Sequence, residues 1–80
     1  APRLSMLFAP ESAGRAREEF APDVIDVMSD GRLSVTVCCQ LNERMLHHLF
    51  SYGVQLEVLE PAWVRNWMND QARAMLERGR

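Results

Sequence analysis

A helix end, a short strand and the start of another helix follow one another without a spacer across residues 49–61. Gly53 can adopt the left-handed conformation that ends a helix, so the second helix is predicted to stop there. An alternating strand is predicted to follow at once, with three apolar residues on one side, namely Val54, Leu56 and Val58. Pro61 suits the first turn of the next helix because that turn has no use for an N–H at this position. This junction predicts a β-strand held tightly between two helices.

The first half of the chain adds a strand, a helix and a β-hairpin. Alternating apolar residues before Pro10 predict the first strand, and they are Leu4, Met6 and Phe8. A helix follows, with one apolar stripe, namely Ala13, Ala16 and Phe20. Its other side chains, namely Glu11, Arg15, Glu18 and Glu19, are predicted to face solvent. Gly14 weakens this helix by about 1 kcal/mol relative to alanine, so docking on a sheet must stabilise it.

The hairpin register follows from the turn at Asp30 and Gly31. With a three-residue loop in which Gly31 is left-handed, Val27 lies opposite Leu33 and the apolar side chains share one face. A two-residue turn would instead bring the carboxylate of Asp26 against that apolar face. Burying an unpaired carboxylate is costly, so the three-residue loop is the predicted one.

Two more helices complete the order of elements. Asn42 is a good N-cap for the second helix, whose apolar stripe is Met45, Leu46, Leu49 and Phe50. The terminal helix is predicted from about Pro61 to Arg78, with an apolar stripe comprising Val64, Trp67, Met68, Ala72, Met75 and Leu76. The order β-α-β-β-α-β followed by a helix predicts an α+β fold, a ferredoxin-like antiparallel sandwich with an additional C-terminal helix. The sequence leaves open whether that helix docks on the sheet's free face, at an edge or on a partner.

Composition limits the possible classes of protein. Eighty residues form one domain, here residues 1–80, and 48% of them are apolar, as in a globular chain. Neither a membrane span nor a signal peptide is recognisable, so we expect a cytoplasmic protein with no membrane partner. The net charge is −2, and all nine basic residues are arginines interspersed with acids. A protein that binds duplex DNA by itself usually presents a basic stripe, so we expect no direct DNA binding by this chain.

The cysteines and histidines do not predict a metal or catalytic site. Cys38 and Cys39 are neighbours whose side chains point to opposite faces of a strand, so they cannot bind one metal ion in the usual way. Nucleophilic catalysis would need Cys38 or Ser51 beside His47 or His48. None of these residues lies in a motif that forces an exposed nucleophile, and we expect neither an enzyme nor a cofactor.

The terminal helix also carries candidate contact residues. Trp63 and Trp67 are four residues apart with Arg65 between them, an arrangement that can stack on and neutralise a nucleotide. The alternative, in which Trp67 is core and Trp63 covers the helix start, is favoured because Trp67 lies on the apolar stripe. Met68 belongs to the same stripe, and Arg32 beside the hairpin is either a contact residue or a solvated edge residue. We take four residues as candidate effector or partner contacts: Arg32, Trp63, Arg65 and Met68.

A family resemblance rests on the same turns. The Tyr52-Gly53 pair, the strand Val-Gln-Leu-Glu-Val-Leu that leads into Glu60-Pro61, and the Asp30-Gly31 hairpin closely resemble the WCX domain. This domain is the C-terminal extension of bacterial WYL-domain transcriptional regulators. The resemblance covers roughly residues 4–78, and the matching residues look structural.

The resemblance implies a regulatory context. In such regulators a helix-turn-helix region contacts DNA, a WYL domain senses an effector, and the WCX module helps to dimerise the protein and to frame the effector pocket. We therefore expect a non-catalytic fragment of a longer regulator that forms a homodimer and contacts a WYL domain missing from this chain. Ala1 in place of an initiator methionine fits an excised piece. The alternative is a free-standing ferredoxin-like module for small-molecule binding or dimerisation, and the effector itself is not identified.

Overall fold

A computed structural model describes residues 2–79 of the chain. Four strands and three helices follow one another in the predicted order, joined by short 3-10 turns at Pro10–Ser12, Pro22–Val24 and Gly53–Gln55. The elements are β1 (Arg3–Phe8), α1 (Ala13–Glu19), β2 (Ile25–Val27), β3 (Leu33–Cys38), α2 (Glu43–Phe50), β4 (Leu56–Glu60) and α3 (Ala62–Arg78).

The strands form one antiparallel sheet in the order β2-β3-β1-β4. Two split β-α-β units produce this order, because the two strands of each unit leave room for one strand between them. Both connecting helices then lie on the same face of the sheet. The predicted α+β fold of ferredoxin-like topology, with an added C-terminal helix, is therefore confirmed.

The core lies between one face of the sheet and the helices. Leu4, Met6 and Phe8 on β1 are completely buried, as their alternation predicts. The Phe8 ring packs against the residues that follow α1 and α2, since its centroid lies 5.8 Å from that of Phe20 and 4.9 Å from that of Tyr52. Such tilted and edge-on aromatic pairs add stability beyond the area they bury.

The hairpin has the predicted register. Val27 pairs with Leu33, and two residues further along the ladder Ile25 pairs with Val35. Gly31 has a φ of 92°, the left-handed region that the three-residue loop requires. Asp30 accepts a hydrogen bond from the backbone N–H of Arg32 at 3.1 Å, which holds the loop closed.

The junction after α2 differs from its prediction in two details. Gly53 is left-handed, with a φ of 63°, as expected. A single 3-10 turn then intervenes, closed by a bond from the N–H of Leu56 to the carbonyl of Gly53, and it turns Val54 fully into solvent. β4 therefore begins at Leu56, and the assignment of Val54 to the buried side of the strand is wrong. Pro61 is the N-cap of α3 rather than a residue of its first turn.

The terminal helix packs beside α2 and along the edge strand β4, not on the free face of the sheet. Val64 in its first turn is completely buried in the core. One turn later the Trp67 ring lies edge-on to two rings of α2, 6.2 Å from Phe50 and 5.2 Å from His47 between centroids. Beyond this point α3 leaves the body of the domain, so Met75 and Leu76 are 61% and 68% exposed although they continue the apolar stripe.

Candidate interaction surface

The four candidate contact residues lie in two separate places. Arg65 and Met68 line a cavity of about 260 Å³ between α3 and β4. Arg65 also donates a 3.4 Å hydrogen bond from Nη1 to the carbonyl of Leu59, which orients its side chain along the strand end. Trp63 is on the same helix and is 51% exposed, but it lines neither this cavity nor the larger one next to it.

Arg32 lies beside the hairpin and lines neither of these two cavities. Its Nε donates to Oδ2 of Asp30 at 2.7 Å, so the two side chains form an exposed ion pair. The backbone N–H of Arg32 is the main cause of a lowered pKa at Asp30, and the Arg32 side chain adds to it. A small cavity of about 170 Å³ on the free face of the sheet includes Arg32 in its lining, together with Leu7 and Glu57. The structure therefore does not bring Arg32 together with the residues of α3.

A larger apolar cavity of about 450 Å³ continues the one that holds Arg65 and Met68. The two share Leu56, Met68 and Asn69, and together we call them the α3 groove. Apolar side chains from α2, the turn before β4 and α3 form most of the lining of the larger cavity, and they are Phe50, Val54, Leu56, Met68, Ala72 and Met75. The cavity is therefore lined by residues that precede Gly53 in the chain and by residues that follow it.

Among these apolar groove residues, Met68 is a candidate contact from the sequence, and Met68 and Met75 both belong to the apolar stripe that the sequence predicts on α3. The signal in the sequence is the length of the apolar stripe on α3. The stripe continues several residues past the part of the helix that so small a domain can bury. Val54 gave no such signal, because its alternation with Leu56 and Val58 is the pattern of a buried strand.

A polar network joins α1 to α2 on the far side of the core. The Tyr52 hydroxyl donates to Oε1 of Glu19 at 2.8 Å, and His48 Nε2 lies 2.6 Å from Oε2 of the same carboxylate. The Arg15 guanidinium lies 3.7 Å from the centroid of the Tyr52 ring and donates to the hydroxyl of Ser51 at 2.7 Å. Arg15 and Glu19 are exposed on α1, as predicted, and they also fasten this helix to α2 and the residues that follow it.

The network changes the acidity of Tyr52. Burial of the phenol, followed by its hydrogen bond to the Glu19 carboxylate and the negative charge of that group, raises the pKa of Tyr52 to about 12. The nearby Arg15 charge acts in the opposite direction but is the smallest cause. Tyr52 therefore stays neutral throughout the physiological pH range and acts as a hydrogen-bond donor.

The residues considered for catalysis do not form a nucleophile–base pair at Ser51. Its Oγ donates to the backbone carbonyl of His48 and not to an imidazole nitrogen. Cys38 is exposed and Cys39 half-buried, and burial raises the pKa of the Cys39 thiol. Within residues 2–79, no group of three or more His, Cys, Asp or Glu side chains is placed to hold a metal ion. None of the helices in the same range has the length and apolarity needed to cross a membrane.

The topology and the groove define a small α+β domain whose prominent surface is a cleft beside its last helix. Comparison with protein families gives a match to the WCX domain over residues 1–76, nearly the whole chain. The chain belongs to the WCX domain family. No curated protein and no solved structure matches it.

Proposed function

We propose that this chain is the regulatory accessory domain of a WYL-family transcriptional regulator. It is a non-catalytic module that contacts a second protomer and the WYL domain of the same protein, and it helps to frame effector sensing. The family match supports this role, because WCX domains are known as C-terminal domains of WYL regulators.

The observation that carries the contact role is the exposed half of α3. Met75 and Leu76 remain largely exposed, and the α3 groove beside them is mostly apolar. A contiguous apolar patch of this kind on a small domain usually marks a protein contact. Met68 and Met75 suit such a surface since their flexible side chains can adapt to a partner.

DNA contact belongs to another part of the proposed parent protein. The acids of this chain outnumber its arginines, and a module of this charge gains little from counterion release on duplex DNA. The isolated chain should therefore give no sequence-dependent shift of a DNA duplex at physiological salt.

The test uses the full-length regulator that contains this chain. Met68→Glu places a charge in the α3 groove, and we expect it to abolish the transcriptional response to effector while operator binding by the helix-turn-helix region persists. Arg17→Glu, an exposed change on α1 away from the groove, is the matched control and should behave as wild type. A regulator that carries Met68→Glu and has an unchanged response and an unchanged mass by light scattering would refute the contact role.

A further inference from the structure

The α3 groove has an arginine at each end. Arg65 lines the end nearest the start of α3, and Arg78 lines a further cavity that adjoins the groove through Met75. The thirteen residues from Arg65 to Arg78 along α3 correspond to about 20 Å of helix. Among residues 2–79, no carboxylate lies within 4 Å of either guanidinium, whereas Arg32 and Arg73 each have one. The groove therefore has an apolar centre and, at each end, an arginine that forms no ion pair within the described domain, although Glu57 also lines the Arg65 end.

The charge of the whole chain is divided in the same way. Residues 61–80 contain four arginines and two acids, while residues 1–60 contain five arginines and nine acids. Packing α3 against the α3 of a second copy would bring the arginines of both helices together, which is unfavourable. A partner with negative charge complements this surface.

The acidic partner does not lie within a second copy. The two other helices of the chain, α1 and α2, have only seven and eight residues and cannot span a groove of about 20 Å, which needs about 13 helical residues. An added β-strand is also excluded, because the edge of β4 below the groove is covered. Val58 is only 3% exposed there, backbone included, so no free strand edge is presented.

We propose that the α3 groove binds an acidic amphipathic helix of a different protein segment. The apolar face of that helix lies over Met68, Ala72 and Met75, and a carboxylate near each of its ends pairs with Arg65 and Arg78. Carboxylates about 11 to 14 residues apart on one face of a helix have the required spacing. The proposal rests on the protein-contact role proposed above and adds the chemistry of the partner.

The probe is a capped, fluorescein-labelled peptide of about 18 residues with a leucine stripe and a pair of glutamates near each end. We expect saturable binding to the chain, measured by fluorescence anisotropy, with NMR shifts at the amides of Val54, Ala72 and Met75. The Arg65→Glu/Arg78→Glu double variant should weaken binding by about tenfold or more, since two favourable charge pairs become unfavourable. A second peptide with lysines in place of the glutamates should bind this double variant more tightly than it binds wild type.

Two controls separate charge from folding. Arg17→Glu reverses one arginine charge on α1, half of the change in the double variant, and should leave binding unchanged within about twofold. The circular dichroism spectra and denaturation midpoints of all variants should match wild type, since Arg65, Arg78 and Arg17 are exposed.

Several results would overturn the proposal. One is a failure of the acidic peptide to bind saturably, and another is equal binding of the acidic and basic peptides. A third is a set of NMR shifts at the groove amides that appears with increasing protein concentration alone, which would identify a second copy as the occupant. If the peptide fails while Met68→Glu still abolishes the effector response of the full-length regulator, the protein-contact role stands and the acidic helix is the wrong partner.

Discussion

Alkaline titration of Tyr52 should expose the strength of the network that joins α1 to α2. Tyr52 as a whole residue is 5% exposed, and its pKa is raised from 10 to about 12 by burial and by the Glu19 carboxylate. A raised folded-state pKa means that the neutral phenol is favoured in the folded protein. Its contribution to stability is therefore complete below about pH 10 and is lost as the pH rises through about 12. A shift of this size corresponds to about 2 to 3 kcal/mol.

The composition of the chain makes this measurement unusually clean. Tyr52 is its only tyrosine and there is no lysine, so the tyrosinate absorbance follows one residue and no ammonium group of a side chain titrates in the same range. The midpoint should lie near 12 in the folded protein and near 10 in denaturant. Replacing both free cysteines by serine removes the absorbance of their thiolates from the signal.

Tyr52→Phe supplies the control for stability. At neutral pH it should lower the free energy of unfolding by about 1 kcal/mol, because the hydrogen bond to a partly exposed carboxylate is lost. Between about pH 10 and pH 12 the free energy of unfolding of the wild type should fall by about 2 to 3 kcal/mol, and that of the variant should not show this fall. A folded-state tyrosine midpoint equal to that in denaturant, or a pH-independent difference between the two proteins, would refute this account of the network.

Two further changes test local features of the backbone. Gly53→Val should lower the free energy of unfolding by about 1 to 2 kcal/mol through its left-handed φ alone, because no atom lies within 4 Å of the added Cβ. Gly14→Ala, which also meets open space but lies in a helix, should instead raise it by about 0.5 to 1 kcal/mol, and equal denaturant midpoints for the two variants would contradict the conformational argument. Asn42→Ala removes the 2.9 Å cap on the N–H of Met45 and should cost about 1 kcal/mol in chemical denaturation, whereas Asn42→Asp should keep most of it.

The features that sequence reasoning predicted correctly are set by local chemistry. The register at Val27 and Leu33 follows from one left-handed glycine and from the cost of burying a carboxylate, both of which can be read from a few neighbouring residues. The cap at Asn42 and the order of elements have the same origin. With that order known, short connections and antiparallel pairing leave few other topologies.

The features that were missed depend on how separate helices meet. Arg15 and Glu19 look like solvated residues on α1, and only the position of α2 brings Tyr52 and His48 within reach of them. The position of Val54 depends on a single extra turn, which the alternation of its neighbours conceals. The groove beside α3 could not be predicted, because it forms only where α3 extends beyond the sheet on which its first turns pack.

The two ends of α3 are held very differently. Val64 anchors the first turn in the core, whereas every residue from Ala72 to Gly79 is exposed, so the last two turns depend on their own backbone hydrogen bonds. Short helical segments without tertiary packing are only marginally stable in water, and they fray and re-form rapidly. Local unfolding should therefore become easier along α3 from Val64 towards Arg78, as a gradient in amide hydrogen exchange. A bound partner would need to offset only the small free-energy cost of ordering the last two turns of α3. Slower amide exchange in these turns would then indicate that the partner is bound.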